Sequence, residues 1–376
     1  MRICTKIIYS LGEYLDVITQ IGEEYSKEID EKKKKKEEWS TDKPPVLWFR
    51  GLSDTDHALI PSLFRQKTRV DSKGINGDYS MLHYAEDIRT QHYIAKNYHF
   101  FEKEPSSRVE WLEVMQHHEM NTRVLDWSES SIHSLIFAIE PFINDRKYTE
   151  QERKVCVPCV WVLEPGKLNE KIFGYLKKEI EEQSSFVRDL IRELQLSDEE
   201  ENELFSTLEK FSDDGLHDLE EISHMDYILN LSAINDEILR DRSRIKYLLR
   251  RGDIINPYYY LLSRIYSDGK ILEDRDLPPL AVVHPYHSER IKAQKGVFTV
   301  FPFYREKERD NSAREMAVNL DAMENNEIAE TCLYKIVLSS PQKIACEIMT
   351  NGMNNSWLYP EMPIVANELE RRKIYY

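Results

Sequence analysis

Residues 44–65 read PPVLWFRGLSDTDHALIPSLFR, in which an apolar run leads directly into an arginine and a glycine. The run VLWF at 46–49 is typical of a buried strand, and the two prolines before it end whatever precedes it. If the strand is central, Arg50 emerges at its C-terminal end, where open sheets place ligands. A guanidinium there suits a phosphate or carboxylate, and Gly51 permits a positive φ or a close backbone approach to a ligand. The alternative is a structural arginine paired with a nearby acid.

The composition indicates a folded protein of one or two domains. The chain has 376 residues, 41% of them hydrophobic, and a formal net charge of −16 at pH 7. No run approaches 18 apolar residues, and the N-terminus lacks the features of a secretory signal. Five cysteines, an odd number, suit a reducing compartment. We therefore predict a cytoplasmic protein with no membrane partner, and the acidic charge argues against broad nucleic-acid binding.

The predicted elements do not alternate regularly between strand and helix. Strands are predicted at 46–49, in VCVPCVWVLEP, and at 280–286, 297–301 and 332–338. This pattern predicts an α+β fold, with a small mixed or split β-sheet core, surrounding helices and an α-helical insertion. We expect an N-terminal helix within residues 1–43, an α+β domain formed by 44–166 and 276–376, and a helical insertion or subdomain at 167–275.

A second stretch, QHHEMNTRVLDWSES at 116–130, carries more polar chemistry than a connection needs. We predict that it forms a turn between two apolar helices. Asp126 could accept from Arg123 or from Arg50, which would fix an arginine for anion binding. Trp127 offers a flat face to a base or a nicotinamide ring, and Ser128 or Ser130 can cap the following helix.

The third stretch is RIKAQKGVFTVF at 290–301. Arg290 and Gln294 are four residues apart and share one face of a short predicted helix. Gln294 can bind a ribose hydroxyl or an amide, or it can satisfy backbone groups of the loop. No metal is predicted, because the single CxxC, Cys156 and Cys159, has no second cysteine pair downstream.

Together the three stretches resemble the FRG domain, a bacterial family named for its Phe-Arg-Gly motif. Residues 167–275 lie outside the resemblance. The matching residues are Phe49-Arg50-Gly51, Leu59-Ile60-Pro61-Ser62-Leu63, Arg65, Gln116-His117, Thr122-Arg123-Val124-Leu125-Asp126-Trp127, Phe137-Ala138, Arg290, Gln294, Gly296, Phe298, Thr299 and, more weakly, Leu358-Tyr359-Pro360.

The resemblance implies an ADP-ribosyltransferase-like fold, in which two small sheets grip NAD. Arg50 would be the first-strand residue that contacts the nicotinamide ribose or the diphosphate, and Ser128 the middle residue. Gln294 would stand where that fold usually has a glutamate, and a neutral amide stabilises an oxocarbenium-like transition state less well. Either Asp126 or Glu361 then supplies the acid, or the cleft binds nucleotides without transfer.

These arguments give two sets of candidate site residues and several functions. The first hypothesis is a bacterial toxin or anti-phage defence effector that consumes NAD as its substrate, acts on a protein or nucleic-acid target, and has an antitoxin or defence-system partner. The alternative is a non-catalytic module that senses a nucleotide, a nucleic-acid end or a phage component. A metal-independent nuclease using His117 or His118 is less favoured. The catalytic candidates are Arg50, Asp126, Ser128 and Gln294, and the substrate-binding candidates are Phe49, Gly51, Gln116, His117, Thr122, Arg123, Trp127 and Arg290.

Overall fold

The structure is a computed structural model of the whole chain. It describes residues 3–35, 46–65, 79–100, 105, 108–143, 156–182, 188, 202, 262, 265–266, 271–272, 277–283, 289–304, 322–353 and 359.

Strands and helices are numbered in chain order over the described residues. The strands are β1 Cys4–Ile8, β2 Trp48–Leu52, β3 Val124–Ser128, β4 Cys159–Leu163, β5 Ile271–Leu272, β6 Leu280–Val282, β7 Gly296–Val300, β8 Phe303–Tyr304 and β9 Leu333–Leu338. The helices are α1 Leu11–Lys35, α2 Ser62–Arg65, α3 Tyr79–Asn97, α4 Arg108–His117, α5 Ser131–Ala138, α6 Glu140–Ile143, α7 Pro165–Glu181, α8 Glu289–Ala293 and α9 Pro341–Thr350. Short 3₁₀ turns lie at Tyr98–Phe100, Met323–Asn325 and Ala329–Cys332.

Seven strands form one mixed sheet in the order β1-β9-β4-β2-β3-β7-β6. Strands β1 and β9 are parallel, and every other neighbouring pair in this sheet is antiparallel. Strands β5 and β8 form a separate two-stranded parallel sheet. The prediction of an α+β fold is confirmed, and β2, which carries the Phe-Arg-Gly motif, is the central strand of the seven.

Buried side chains cover both faces of the sheet. Trp48 and Phe49 are adjacent on β2, and because successive strand residues point to opposite faces they enter two different core clusters. The cluster around Phe49 includes Tyr14 of α1 and Leu135 of α5. The cluster around Trp48 includes Leu112 of α4 and residues of α7. Strand β4 is buried along its whole length, as expected for a strand covered on both faces.

The N-terminal segment contributes more than the helix predicted for residues 1–43. Strand β1 precedes α1 and pairs with β9 from Cys4↔Tyr334 to Ile8↔Leu338. A single short strand whose partner lies more than 300 residues away carries no local signal, which is why only the helix was predicted.

The predicted helical insertion at 167–275 lies mostly outside the described residues. Its first part, α7, packs Leu168, Ile172 and Phe173 into the core cluster around Trp48. The core of the sheet domain therefore continues past residue 166.

Candidate functional site

A cavity of about 300 Å³ lies beside the central strands β2 and β3. These two strands pair only at Phe49↔Ser128, whereas β2 pairs with β4 along all five residues. The divergence of β3 from β2 therefore makes room for side chains from α4, α5 and α8. The lining residues are Phe49, Arg50, Gly51, Glu113, Gln116, His117, Glu119, Asp126, Trp127, Ser128, Ser134, Phe137, Arg290, Ile291, Gln294, Gly296 and Phe298.

Most of the residues singled out in the sequence meet in this cavity. Two of them, Thr122 and Arg123, are not among its lining residues. Those that line it are Phe49, Arg50, Gly51, Gln116, His117, Asp126, Trp127, Ser128, Arg290 and Gln294. The three sequence stretches thus converge in space, although the role of each residue stays a prediction.

Arg50 lies in the middle of β2 and not at its C-terminal end as predicted, since the strand continues through Gly51 to Leu52. Its Nη1 donates to the backbone oxygen of Asp126 and, at 3.3 Å, to the Oδ2 of the same residue. The Arg50 side chain is 15% exposed and its Nε is buried with no hydrogen-bond partner among the described residues, whereas the Asp126 side chain is 53% exposed. The partner of Asp126 is therefore Arg50 and not Arg123.

A chain of hydrogen bonds holds Asp126 from its other side. The Gln116 side-chain amide donates to Oδ1 of Asp126, and the Thr122 hydroxyl donates to the Gln116 side-chain oxygen. Thr122 is itself fixed by α2, since its N–H donates to Ser62 Oγ at 3.2 Å and its carbonyl accepts from Leu63 N–H at 3.0 Å. Thr122 therefore orients Gln116 and is not among the residues that line the cavity.

Gly51 is required by the close approach of α5. A Cβ at this position would lie 1.8 Å from the carbonyl oxygen of Ser134 and 2.7 Å from the backbone nitrogen of Ala138. Glycine is the residue that permits this contact, because it has no Cβ. The close contact with α5, and not a positive φ, accounts for the glycine of the Phe-Arg-Gly motif.

Ser128 connects the end of β3 to the loop that carries Gln294. Its hydroxyl donates to the Gln294 carbonyl at 2.6 Å and accepts from Ser130 N–H at 3.0 Å. Ser130, and not Ser128, caps α5 by accepting from His133 N–H. The next loop residue, Lys295, has a φ of 48°, a conformation that non-glycine residues adopt infrequently. The Ser128 hydroxyl therefore fixes the position of Gln294.

Two candidate residues have structural roles that the sequence did not reveal. Arg123 is fully buried, and it donates to Glu86 at 3.0 Å and to the Phe301 carbonyl at 2.7 Å. Arg123 does not line the cavity, and its role in substrate binding stays a prediction. Trp127 is 3% exposed and its indole N–H donates to Thr299 at 3.0 Å, so most of its side chain packs in the core while part of it lines the cavity. Trp127 lies on β3, and Arg123 lies directly before it, in a stretch that was predicted as a turn.

Two acidic residues of the cavity were not predicted. Glu113 lies on α4, three and four residues before Gln116 and His117, and this spacing places all three on one face of the helix. Glu113 is 3% exposed. Glu119 follows the helix with a φ of 63°. The helical spacing could have identified Glu113, whereas nothing local distinguishes Glu119.

An aromatic side chain packs against Arg290 at another part of the cavity. Its guanidinium carbon lies 4.6 Å from the centre of the Tyr359 ring. The edge of that ring meets Phe137, with ring centres 6.1 Å apart and planes at 88°. Tyr359 belongs to the tail that matched the FRG pattern weakly, and it contacts two residues that line the cavity.

Other sequence-based candidates lie outside the described residues, among them Glu361, His284 and His287. Over the part of the chain that the structure describes, no group of three or more His, Cys, Asp or Glu side chains is arranged to hold a metal ion. None of the helices described is both long and apolar enough to span a bilayer.

Comparison with known families identifies the segment that carries the motif. Residues 46–147 match the family model of the FRG domain. The match contains β2, α4, β3 and α5 but not Arg290, Gln294 or Tyr359, which complete the cavity. No curated protein and no solved structure matches the chain significantly. The chain is therefore similar to the FRG domain over residues 46–147.

Proposed function

We propose that the cavity binds NAD and that the protein is an ADP-ribosyltransferase-like, NAD-consuming enzyme. The observation that carries this proposal is the convergence of Arg50, Asp126 and Gln294, from three distant segments, on one cavity. Guanidinium groups suit phosphates, and carboxylate or carboxamide oxygens suit ribose hydroxyls. At about 300 Å³ the cavity has the size of a small ligand pocket, so it would hold the reacting part of the dinucleotide.

The reaction breaks the bond between ribose C1′ and the nicotinamide nitrogen. The electron pair of this bond stays on nicotinamide, which leaves as a neutral molecule. The ribosyl carbon, oxocarbenium-like in the transition state, accepts a lone pair from an acceptor oxygen or nitrogen, or from water. The proton of the acceptor must then pass to a base.

The carboxylates of the cavity divide these tasks between them. Asp126, held by Arg50 and Gln116, is a fixed negative group that would stabilise positive charge on the ribose ring. Glu113 lies on the neighbouring helix face and is our candidate for the base that receives the acceptor proton. Gln294, held through Ser128, would position a ribose hydroxyl. Arg50 acts by keeping Asp126 in place.

Nicotinamide release from NAD by the purified protein tests the proposal. We expect Arg50→Ala and Asp126→Asn to abolish release in the presence of cell extract, which supplies an acceptor. Arg89→Ala is a matched control, because Arg89 contacts the backbone of its own helix α3. No release from NAD by the correctly folded wild-type protein, in any extract, would refute the enzyme.

A second function, nucleotide sensing without turnover, has its own support. The residue on the loop between α8 and β7 is Gln294 and not a carboxylate, and Arg50 already bonds Asp126. A sensor predicts that NAD or a related nucleotide raises the melting temperature without being consumed, since a ligand of the native state stabilises it. For either function we propose a bacterial toxin or anti-phage defence setting, with a protein or nucleic-acid target and an antitoxin or defence-system partner.

A further inference from the structure

Three side chains from remote parts of the chain meet through the Tyr359 ring, which contacts both Arg290 and Phe137. Arg290 comes from α8, Phe137 from α5 and Tyr359 from the C-terminal segment. Arg290 and Phe137 line the cavity, and Tyr359 contacts both of them. The Tyr359 ring thus helps to hold Arg290 at the wall of the cavity.

The distance of 4.6 Å between the guanidinium carbon and the Tyr359 ring centre is within the range of a cation–π contact. An arginine held over an aromatic ring is limited in its positions, and a guanidinium can bind a phosphate through two parallel hydrogen bonds. The edge-on contact with Phe137 in turn limits the orientations of the Tyr359 ring.

Arg50 is less suited than Arg290 to bind a phosphate. Its Nη1 contacts both the carbonyl and the carboxylate of Asp126, so the charge of this arginine is largely offset within the cavity. The cavity therefore has one part with the Arg50–Asp126 ion pair, suited to hydroxyl groups, and another where Arg290 is held against the Tyr359 ring.

We infer that Arg290 is the phosphate-binding group of the cavity and that Tyr359, with Phe137 behind it, is the residue that positions Arg290. The inference rests on the proposed function in placing the diphosphate of an NAD-type ligand at Arg290 and its nicotinamide ribose at Asp126 and Gln294. It assigns the diphosphate to a residue outside the matched FRG segment, and it specifies a ligand class in which a phosphate adjoins a sugar.

Calorimetric titration of the purified protein with inorganic pyrophosphate and with ADP-ribose tests the inference. Arg290→Gln should weaken both by about 30-fold, because charge-assisted hydrogen bonds are lost. Tyr359→Leu should weaken both by about 5-fold through loss of the cation–π contact, and Tyr359→Phe, which keeps the ring, should bind like the wild type. Lys292→Gln removes an exposed charge from the same helix and should leave binding unchanged.

Melting temperatures recorded in parallel separate positioning from folding. If Arg290→Gln fails to fold, Arg290→Lys replaces it and should weaken binding by a smaller factor, since lysine keeps the charge but not the fork. Wild-type affinity in the Arg290 variant, or equal losses in Tyr359→Phe and Tyr359→Leu, would overturn the inference. So would a wild-type protein that binds neither probe.

The same variants separate this inference from the proposed enzyme. Binding of pyrophosphate that depends on Arg290, without nicotinamide release, would leave the phosphate site standing and remove the enzyme. Nicotinamide release by the Arg290→Gln variant with an unchanged KM for NAD would support the enzyme and remove the phosphate site at Arg290. If both proposals hold, the Arg290 variant raises KM for NAD while Arg50→Ala lowers kcat.

Discussion

Replacing Gly51 by alanine perturbs the wall of the cavity in a way that the structure allows to be estimated. The added Cβ would lie 1.8 Å from the Ser134 carbonyl oxygen and 2.7 Å from the Ala138 nitrogen. Both atoms belong to the backbone of α5, so no side-chain rotation makes room for the methyl group. Real Cβ atoms are essentially never closer than 3.0 Å, so α5 must retreat from β2 by at least about 1.2 Å.

This retreat would separate buried residues of α5 from the sheet. Leu135, Ile136 and Ala138 are all fully buried, and their loss of contact adds to the strain of overpacking. We expect Gly51→Ala to lower the free energy of unfolding by about 3 kcal/mol or more. Because Ser134 and Phe137 line the cavity, the variant should also lose ligand binding at temperatures where it remains folded.

Urea denaturation followed by circular dichroism measures the change, with two other glycines as controls. A Cβ at Gly174, an exposed position of α7, meets nothing within 4 Å, so Gly174→Ala should stabilise the protein by about 0.5–1 kcal/mol. A Cβ at Gly296 meets the Ile291 side chain at 2.9 Å, and Gly296→Ala should have an intermediate effect. Stability of Gly51→Ala within about 0.5 kcal/mol of the wild type would refute the close contact.

Three further outcomes follow from buried or charged groups. Arg123→Met removes the closer of two arginines from the buried Glu86 carboxylate, at 3.0 Å, and leaves Arg108 at 3.7 Å. It should therefore cost about 3 kcal/mol by urea denaturation, and the Arg123→Met, Glu86→Leu double variant should cost less. Burial is the larger cause that lowers the pKa of His133 below its ordinary 6.5. On acidification, His133 therefore becomes protonated at a higher pH in the unfolded chain than in the folded protein, so the free energy of unfolding falls as the pH drops below about 6.5. His133→Asn should flatten that part of a stability profile recorded between about pH 5 and pH 7. Burial raises the pKa of the Cys332 thiol to about 11; iodoacetamide at about pH 8 should therefore modify the exposed Cys4 and not Cys332 in the folded protein, as read by peptide mass spectrometry.

Strands with a continuous apolar pattern were predictable from the sequence, whereas strand β3, which contains polar residues, was not. The runs that became β2, β4, β7 and β9 were identified, because buried strands show as short apolar segments. Strand β3 was mistaken for a turn since VLDWS is short and contains an aspartate and a serine. In the structure Asp126 is the single exposed residue of that strand, and its side chain turns to Arg50.

The convergence of the site was predictable only in part. Arg50 could be selected because it follows an apolar run, Asp126 because its stretch carries more polar chemistry than a connection requires, and Gln294 because it shares a helix face with Arg290. The partner of Arg123 could not be found, since Glu86 lies 37 residues earlier on a helix with no local link to it. The buried state of Trp127 likewise depends on Thr299, which is 172 residues away in sequence. Pairings of this kind arise from the topology of the sheet and not from local pattern.

A crystal structure of the protein with ADP-ribose bound tests the central claim most directly. We predict that the ligand occupies the cavity, with phosphate oxygens at Arg290 and with the ribose that carried nicotinamide beside Asp126 and Gln294. ADP-ribose bound on another surface at saturating concentration, or Arg50 and Asp126 found apart with no common cavity between them, would contradict the account.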